Sequence, residues 1–287
     1  MVSAEVKKAF NDIKTLRVQG ATNVAMAALK SLESVRSKKA LVEAADFLVK
    51  SRPTEPMMRN GLKYVRYKTS AGLTVKQAVK AYEIMIDSAL DRIAEIGARR
   101  IKEDSVVMTH CHSSAVMRVL KKARQEGKKF RVIACEARPL FQGRITAAEL
   151  SGYGIPVTLI VDSAMRSYVN DADLCLVGAD AITADGHVVN KIGTSMLALA
   201  AHEARTEFGV ASELLKFDPD TVSGALEPIE ERDAKEVWGE KHKNVTVENP
   251  AFDVTPPEYI SFVLTEQGIL NPYSVFSTVE HTYRWMI

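Results

Sequence analysis

Cysteine is scarce in this chain: three residues among 287, an odd count that fits free thiols in a reducing compartment and argues against a disulfide framework. Long apolar runs are missing as well. No window approaches the roughly 18 uninterrupted apolar residues of a spanning helix, and the N-terminal MVSAEVKKAFNDIK lacks the apolar stretch of a signal peptide. A cytoplasmic protein without membrane attachment is expected. Neither sign of charge dominates, because 38 Lys and Arg stand against 36 Asp and Glu, leaving a net charge of +2 with the basic residues dispersed among acids. That balance offers no platform for nucleic acid. There is no GxGxxG and no GxxxxGK[ST], so dinucleotide and P-loop fingerprints are both absent. Internal repeats and low-complexity segments are absent too.

What is present is the composition of an ordinary globular protein, 46% hydrophobic and 26% charged. The length suffices for one large domain, or a small domain plus a core domain. Two periodicities divide the chain. From Ala4 to about Ile101 apolar residues recur at helical spacing, as in Val75, Val79, Tyr82, Ile86, Leu90, Ile93 and Ile101. VQGATN around Gly20 separates two helices, the prolines of SRPTEP end one helix and begin another, and Thr74 is an N-cap candidate. After Asp104 short β-branched runs alternate with helical segments: SVVMTHC, FRVIACE, IPVTLIVD, ADLCLVGAD, EFGVAS and YISFVLT. The expected fold is α/β, with an N-terminal helical domain over residues 1–103 followed by a Rossmann-like, doubly wound parallel sheet domain over 104–287. In such sheets ligands bind beyond the carboxyl ends of the strands, where strand order reverses. His110, Cys111, His112, Glu136, Arg138, Asp162, Ser163, Asp180 and Ser212 all follow an expected strand.

The stretch VVMTHCHSSAVMRVL holds a cysteine between two histidines at a strand end. Zinc is one reading, because imidazole and thiolate are good zinc ligands. Strand alternation would point Cys111 away from His110 and His112 unless a turn intervenes, and no CxxC or HxxxH supplies a fourth ligand, so no metal is expected. A nucleophilic Cys/His pair and an inert buried thiol remain open for Cys111; burial is the plainer fate of Cys135 and Cys175. Ser113 and Ser114 open the next helix, where a cap and an anion site are compatible. In VGADAITADGHVVNKIGTSM, Asp180 leaves a strand, Asp185-Gly186 makes a hairpin-like turn, and Lys191 with Gly193 and Thr194 is a phosphate candidate. Arg52, Arg138 and Lys216 are further phosphate candidates, each with solvated surface charge as the plainer alternative.

The combination THCHSSA, EARPLFQGRITAAEL, GIPVTLIVDSA, VGADAITADGHVVNKIGT and FDVTPPEYISFVLTEQGIL resembles the superfamily that joins methylthioribose-1-phosphate isomerase, archaeal ribose-1,5-bisphosphate isomerase and the regulatory subunits of translation initiation factor 2B. The likeness runs over nearly the whole chain. Cys111 and Asp180 match the catalytic pair of the isomerase branches, a pair the eukaryotic regulators tend to lack. HCHSSA, ELLKFDP and NPAFDVTPPEYI look like the ribose-1,5-bisphosphate branch. The resemblance implies bisphosphate contacts at Gln19, Gly20, Ala21, Thr22, Arg52, Ser113, Ser114, Ala115, Asn190, Lys191 and Lys216, and assigns no role to His110 or His112. It implies no cofactor, a homo-oligomer built as dimers or hexamers, and a product that feeds ribulose-bisphosphate carboxylase in nucleotide breakdown. One departure stands out: the usual Arg-Gly-Ala is here Gln19-Gly20-Ala21, which removes a fixed charge from a phosphate site. An initiation-factor-like regulator and an isomerase for another ribose 1-phosphate are the alternatives. The implied chemistry has a protonated Asp180 donating to the ring oxygen while a Cys111 thiolate takes the C2 proton. It requires Asp180 raised by an apolar pocket and Cys111 lowered by the helix start and nearby cations.

Overall fold

The computed structural model describes residues 2–226 and 229–287. Five helices come first: α1 (Ala4–Lys14), α2 (Ala21–Ser31), α3 (Lys38–Val49), α4 (Pro56–Ser70) and α5 (Val75–Ala98). Their boundaries follow local chemistry. Gly20, at φ 83, turns the chain between α1 and α2, a conformation that costs glycine little. Pro56 sits at the first position of α4, where its missing N–H would be unpaired anyway. Thr74 starts α5 with a full capping box, its hydroxyl accepting from the Gln77 N–H while the Gln77 side chain accepts from the Thr74 N–H. Along α5 the stripe Val79, Tyr82, Ile86, Leu90 and Ile93 is buried at 2% exposure or less, each side chain contributing about 1.5–3 kcal/mol by leaving water. Ile101 is buried too but lies past the helix end, and Val75 is only half-buried.

The rest of the chain is a wound sheet. Its elements are β1 (Val106–His110), α6 (Ser114–Gln125), β2 (Arg131–Cys135), α7 (Gln142–Gly152), β3 (Val157–Ile160), α8 (Met165–Tyr168), β4 (Leu174–Val177), β5 (Ala181–Ile182) and β6 (Val188–Lys191). Then come α9 (Thr194–Ala204), β7 (Glu207–Ala211), β8 (Phe252–Thr255), β9 (Phe262–Thr265), β10 (Gly268–Leu270) and α10 (Val275–Thr282). Seven strands lie in the order β10-β9-β7-β4-β1-β2-β3. All neighbours pair in parallel except β10, which runs antiparallel to β9. Each of the six apolar runs expected as strands from the sequence is one of the parallel strands. The chain winds outward from β1 through β2 to β3 and then returns to place β4 on the other side of β1. That reversal puts the switch point between β1 and β4, whose carboxyl ends are the predicted ligand position for this topology.

A second sheet, β5-β6-β8, is antiparallel and small. Its β5-β6 hairpin turns at Asp185 and Gly186, as expected from TADGHVV, with the Thr183 hydroxyl donating to the Asp185 carboxylate at 2.5 Å. Buried apolar side chains from Val6 of α1 to Met286 near the C-terminus form one continuous cluster, so helices and sheet share their packing.

Candidate active site

β1 ends at His110, and the next residue, Cys111, adopts φ 67. A non-glycine residue in the left-handed region is strained and collects at functional positions. This is the turn that strand alternation demanded: it aims the thiol beyond the carboxyl end of the strand. Ser113 then caps α6, its hydroxyl accepting from the Val116 N–H. On the neighbouring strand, β4 is followed by Gly178, Ala179 and Asp180. A Cβ on Gly178 would lie 2.4 Å from the Ser113 Oγ, so only glycine lets the two strand ends approach.

Cys111 and Asp180 line one cavity of about 370 Å³, within the usual size of small-molecule sites. The same cavity collects Gln19, Gly20, Ala21 and Thr22 at the start of α2, and Arg52 from the loop after α3. Ser113, Ser114, Asn190, Lys191 and Lys216 complete the expected set around it. Ala115 is the exception. Its side chain is fully buried beneath α6 and does not line the cavity, which leaves only its backbone, in the open first turn of the helix, to face a ligand. Two helix N-termini, those of α2 and α6, therefore open on this space, and each favours an anion. A third, that of α9, does not: the half-buried Asp253 carboxylate accepts from the Gly193 N–H at 2.7 Å and the Ser195 N–H at 3.1 Å. Gly193 and Thr194 are thus satisfied internally and do not form a phosphate site. Burial pushes Asp253 up to about 6 while those backbone donors hold it down.

Several lining residues carry no motif that marks them in the sequence. Phe252 of β8 lies under two cations, with the Arg52 guanidinium 5.7 Å and the Lys191 ammonium 4.9 Å from its ring centre. Arg232 enters from the segment after residue 228, paired with Glu236 at 2.8 Å and Glu230 at 3.8 Å. Gln142, at the start of α7, brings a buried carbonyl that accepts no hydrogen bond within the protein. Gln142 stood in the quoted EARPLFQGRITAAEL, but an unpaired buried side-chain oxygen is visible only in three dimensions.

The electrostatics differ from the sequence expectation at Cys111. Burial is the largest influence and pushes its thiol up to about 11; Lys191 pulls it down, and Asp180 adds to the rise. The thiol is not lowered: desolvation of an anion next to a carboxylate outweighs the nearby cation and the His112 N–H. The Asp180 backbone N–H donates to the Val189 carbonyl at 2.9 Å, while its carboxylate makes no hydrogen bond or ion pair among the described residues. His110 is buried, 3.8 Å from Asp162 and 3.4 Å from the Thr194 hydroxyl, and burial holds its imidazole neutral, down to about 4. Thr194 in turn accepts from Asn190 at 3.0 Å, so His110 braces the end of β6, which carries Asn190 and Lys191. His112 bonds Thr146 at 2.9 Å, tying the turn to α7. Arg138 contacts the Val237 carbonyl and lies outside the cavity lining. No cluster of three or more metal-ligating side chains occurs among the described residues.

The sequence profile of the initiation factor 2 subunit family matches residues 15–272. A ribose 1,5-bisphosphate isomerase of Archaeoglobus fulgidus is 44% identical over 96% of this chain and 92% of its own length. The protein of the same name from Pyrococcus furiosus is 41% identical over 99% of this chain and 96% of its own. Among solved structures, the Pyrococcus horikoshii OT3 translation initiation factor eIF-2B superposes with a TM-score of 0.84 at 32% identity, covering 94% of this chain and 98% of that one.

Proposed function

The chain belongs to the initiation factor 2 subunit family, and within it we propose that this protein is an isomerase converting ribose 1,5-bisphosphate to ribulose 1,5-bisphosphate. The observation that carries this is the pairing of Cys111 and Asp180 at the ends of adjacent strands in a cavity ringed by Arg52, Lys191, Lys216 and Arg232. One acid and one base suffice for a 1,2-proton shift. Four cations and two helix N-termini suit a small sugar with a phosphate at each end, and are excessive for a thioether. The helical segment 1–103 supplies Gln19 to Thr22 and Arg52, whereas 104–287 supplies the reacting pair, and we take this as the domain division.

A sugar esterified at its anomeric oxygen cannot open spontaneously. Asp180, protonated, donates to the ring oxygen as the bond from C1 to that oxygen breaks, and the Cys111 thiolate removes the C2 proton as the C1–C2 double bond forms. The resulting enediol phosphate accepts a proton at C1 from the Cys111 thiol while the Asp180 carboxylate takes the C2 hydroxyl proton. Both groups end as they began, and the product is the ketose. Each general acid–base group of this kind contributes roughly 10²–10⁴-fold.

In the empty site burial favours the thiol form of Cys111, so the mechanism requires that thiol to ionise once the sugar is bound. The burial that raises the thiol also makes its thiolate the stronger base for a carbon proton. Once Asp180 is neutral it no longer opposes the thiolate, and Lys191 favours it. Ketose formation by Cys111→Ser and Asp180→Asn tests the pair: near-complete loss is expected for each, and retention of most activity by either removes its role. The initiation-factor reading has the fold in its favour, but a regulator has no use for an intact acid–base pair. We place the enzyme in the cytoplasm as a homo-oligomer whose product feeds a ribulose-bisphosphate carboxylase.

A further inference from the structure

Behind the cations of this cavity lies a carboxylate that the reaction does not use. Glu55 precedes α4, yet its side chain does not cap that helix. It is 1% exposed, and neither of its oxygens accepts a hydrogen bond. Among the described residues its one ion pair is with the Arg52 guanidinium, 3.6 Å away. Arg52 is already engaged on its other edge by Glu230, whose carboxylate accepts from Nε at 3.1 Å. Lys216, the other buried cation of the floor, has Glu213 at 3.3 Å. A buried carboxylate without hydrogen bonds is costly as an anion, and the cost grows each time its cation gains a further anionic partner.

The bisphosphate would be such a partner. A phosphate dianion held by Arg52 becomes a third anionic partner of one guanidinium, beside Glu55 and Glu230. We propose, building on the isomerase reading above, that Glu55 is a positioning residue that must carry a proton in the bisphosphate complex, taking one up on binding wherever it is still ionised, which leaves Arg52 and Lys216 to serve the phosphate. The groups facing Glu55 all bear on this. Arg52 and Lys216 hold its proton off; Asp180 beyond β4 and Glu230 favour the proton, and Tyr82 of α5 stands close but neutral. Burial dominates and pushes Glu55 up to about 8 in the empty site. An arriving dianion adds to the side that favours the proton.

The sign follows. Below about pH 8 Glu55 already carries its proton and binding is unhindered. Above it the apparent dissociation constant of the wild-type protein rises by up to about tenfold per pH unit, because a proton must be taken from a thinner supply. Glu55→Gln, a permanent mimic of the protonated acid, should bind with little pH dependence over the same range.

The test is calorimetric titration of the protein with ribulose 1,5-bisphosphate near pH 8.5, in two buffers of different ionisation enthalpy. The phosphates are then fully dianionic, their second ionisation lying near 6, and contribute no proton of their own. Wild type is expected to take up most of a proton per site and Glu55→Gln close to none, with tighter binding by the variant at pH 9. Equal uptake and equal pH slopes in the two proteins would overturn the role of Glu55 while leaving the isomerase reading intact. Absence of binding by the wild type would overturn both. Should Glu55→Gln not fold, the wild type decides alone, since zero net uptake contradicts the proposal.

Discussion

The thiol of Cys111 should be slow to react in the empty enzyme, and by a calculable amount. Burial beside Asp180 pushes it up to about 11. At pH 7.5 roughly one thiol in 3,000 is then ionised, against about one in ten for a free cysteine near 8.5. The more basic thiolate is intrinsically more nucleophilic, which returns about a factor of ten. Alkylation by iodoacetamide should therefore be about 30-fold slower than for free cysteine, and should still climb nearly tenfold per pH unit from about pH 8 to 10. Peptide mass spectrometry reads the Cys111 site apart from Cys135 and Cys175, which are buried and also raised. A rate that levels off near pH 7 or 8 would refute the burial argument. An unreactive bisphosphate analogue extends the test, because the mechanism requires Cys111 as the thiolate when the cavity is filled. Ultraviolet thiolate absorbance should appear on binding; if it stays absent, the two residues exchange acid and base roles.

Gln19→Arg replaces a neutral donor by a charged one at the entry to α2, so bisphosphate affinity should rise about fivefold to tenfold, the difference of roughly 1 kcal/mol between neutral and charge-assisted hydrogen bonds; unchanged binding would show that position 19 does not meet a phosphate. Gly178→Ala drives a methyl to within 2.4 Å of the Ser113 Oγ, and a displacement of the α6 start by a fraction of an ångström should cost about 10²-fold in kcat/KM with the fold retained by circular dichroism. His110 is held neutral down to about 4 by burial, whereas the unfolded chain protonates it near 6.5. The unfolded state thus binds the extra proton, and wild type should lose on the order of 3 kcal/mol, relative to His110→Gln, as pH falls between those values. Parallel urea titrations of both proteins check the sign.

The layout of the sheet was legible because parallel strands read as apolar runs when both faces are covered, and the edge strand β3, exposed at Thr158 and Leu159, kept the same pattern. The α5 stripe was legible for the matching helical reason. Ile101 escaped because apolar spacing does not reveal where a helix stops, and the small sheet was legible only as its β5-β6 hairpin turn, because β8 joins it from a segment distant in sequence. Within the cavity, Cys111 and Asp180 were found by the rule that ligands meet strand ends. Arg232, Phe252 and Gln142 were not, since each reaches the site from an element distant in sequence and looks ordinary in its own segment. The Cys111 shift was misjudged in sign for a related reason: charges near in sequence are visible, but the desolvation that outweighs them is a property of the assembled cavity. Gly193 and Thr194 show the same limit, because Asp253, almost 60 residues away, occupies the helix start they were expected to offer to phosphate.

Ketose formation from ribose 1,5-bisphosphate, measured beside ribose 1-phosphate and methylthioribose 1-phosphate with Cys111→Ser as control, tests the central claim most directly. Turnover of the bisphosphate alone, abolished in the variant, is the predicted result. No turnover of any of the three by the folded protein would contradict it.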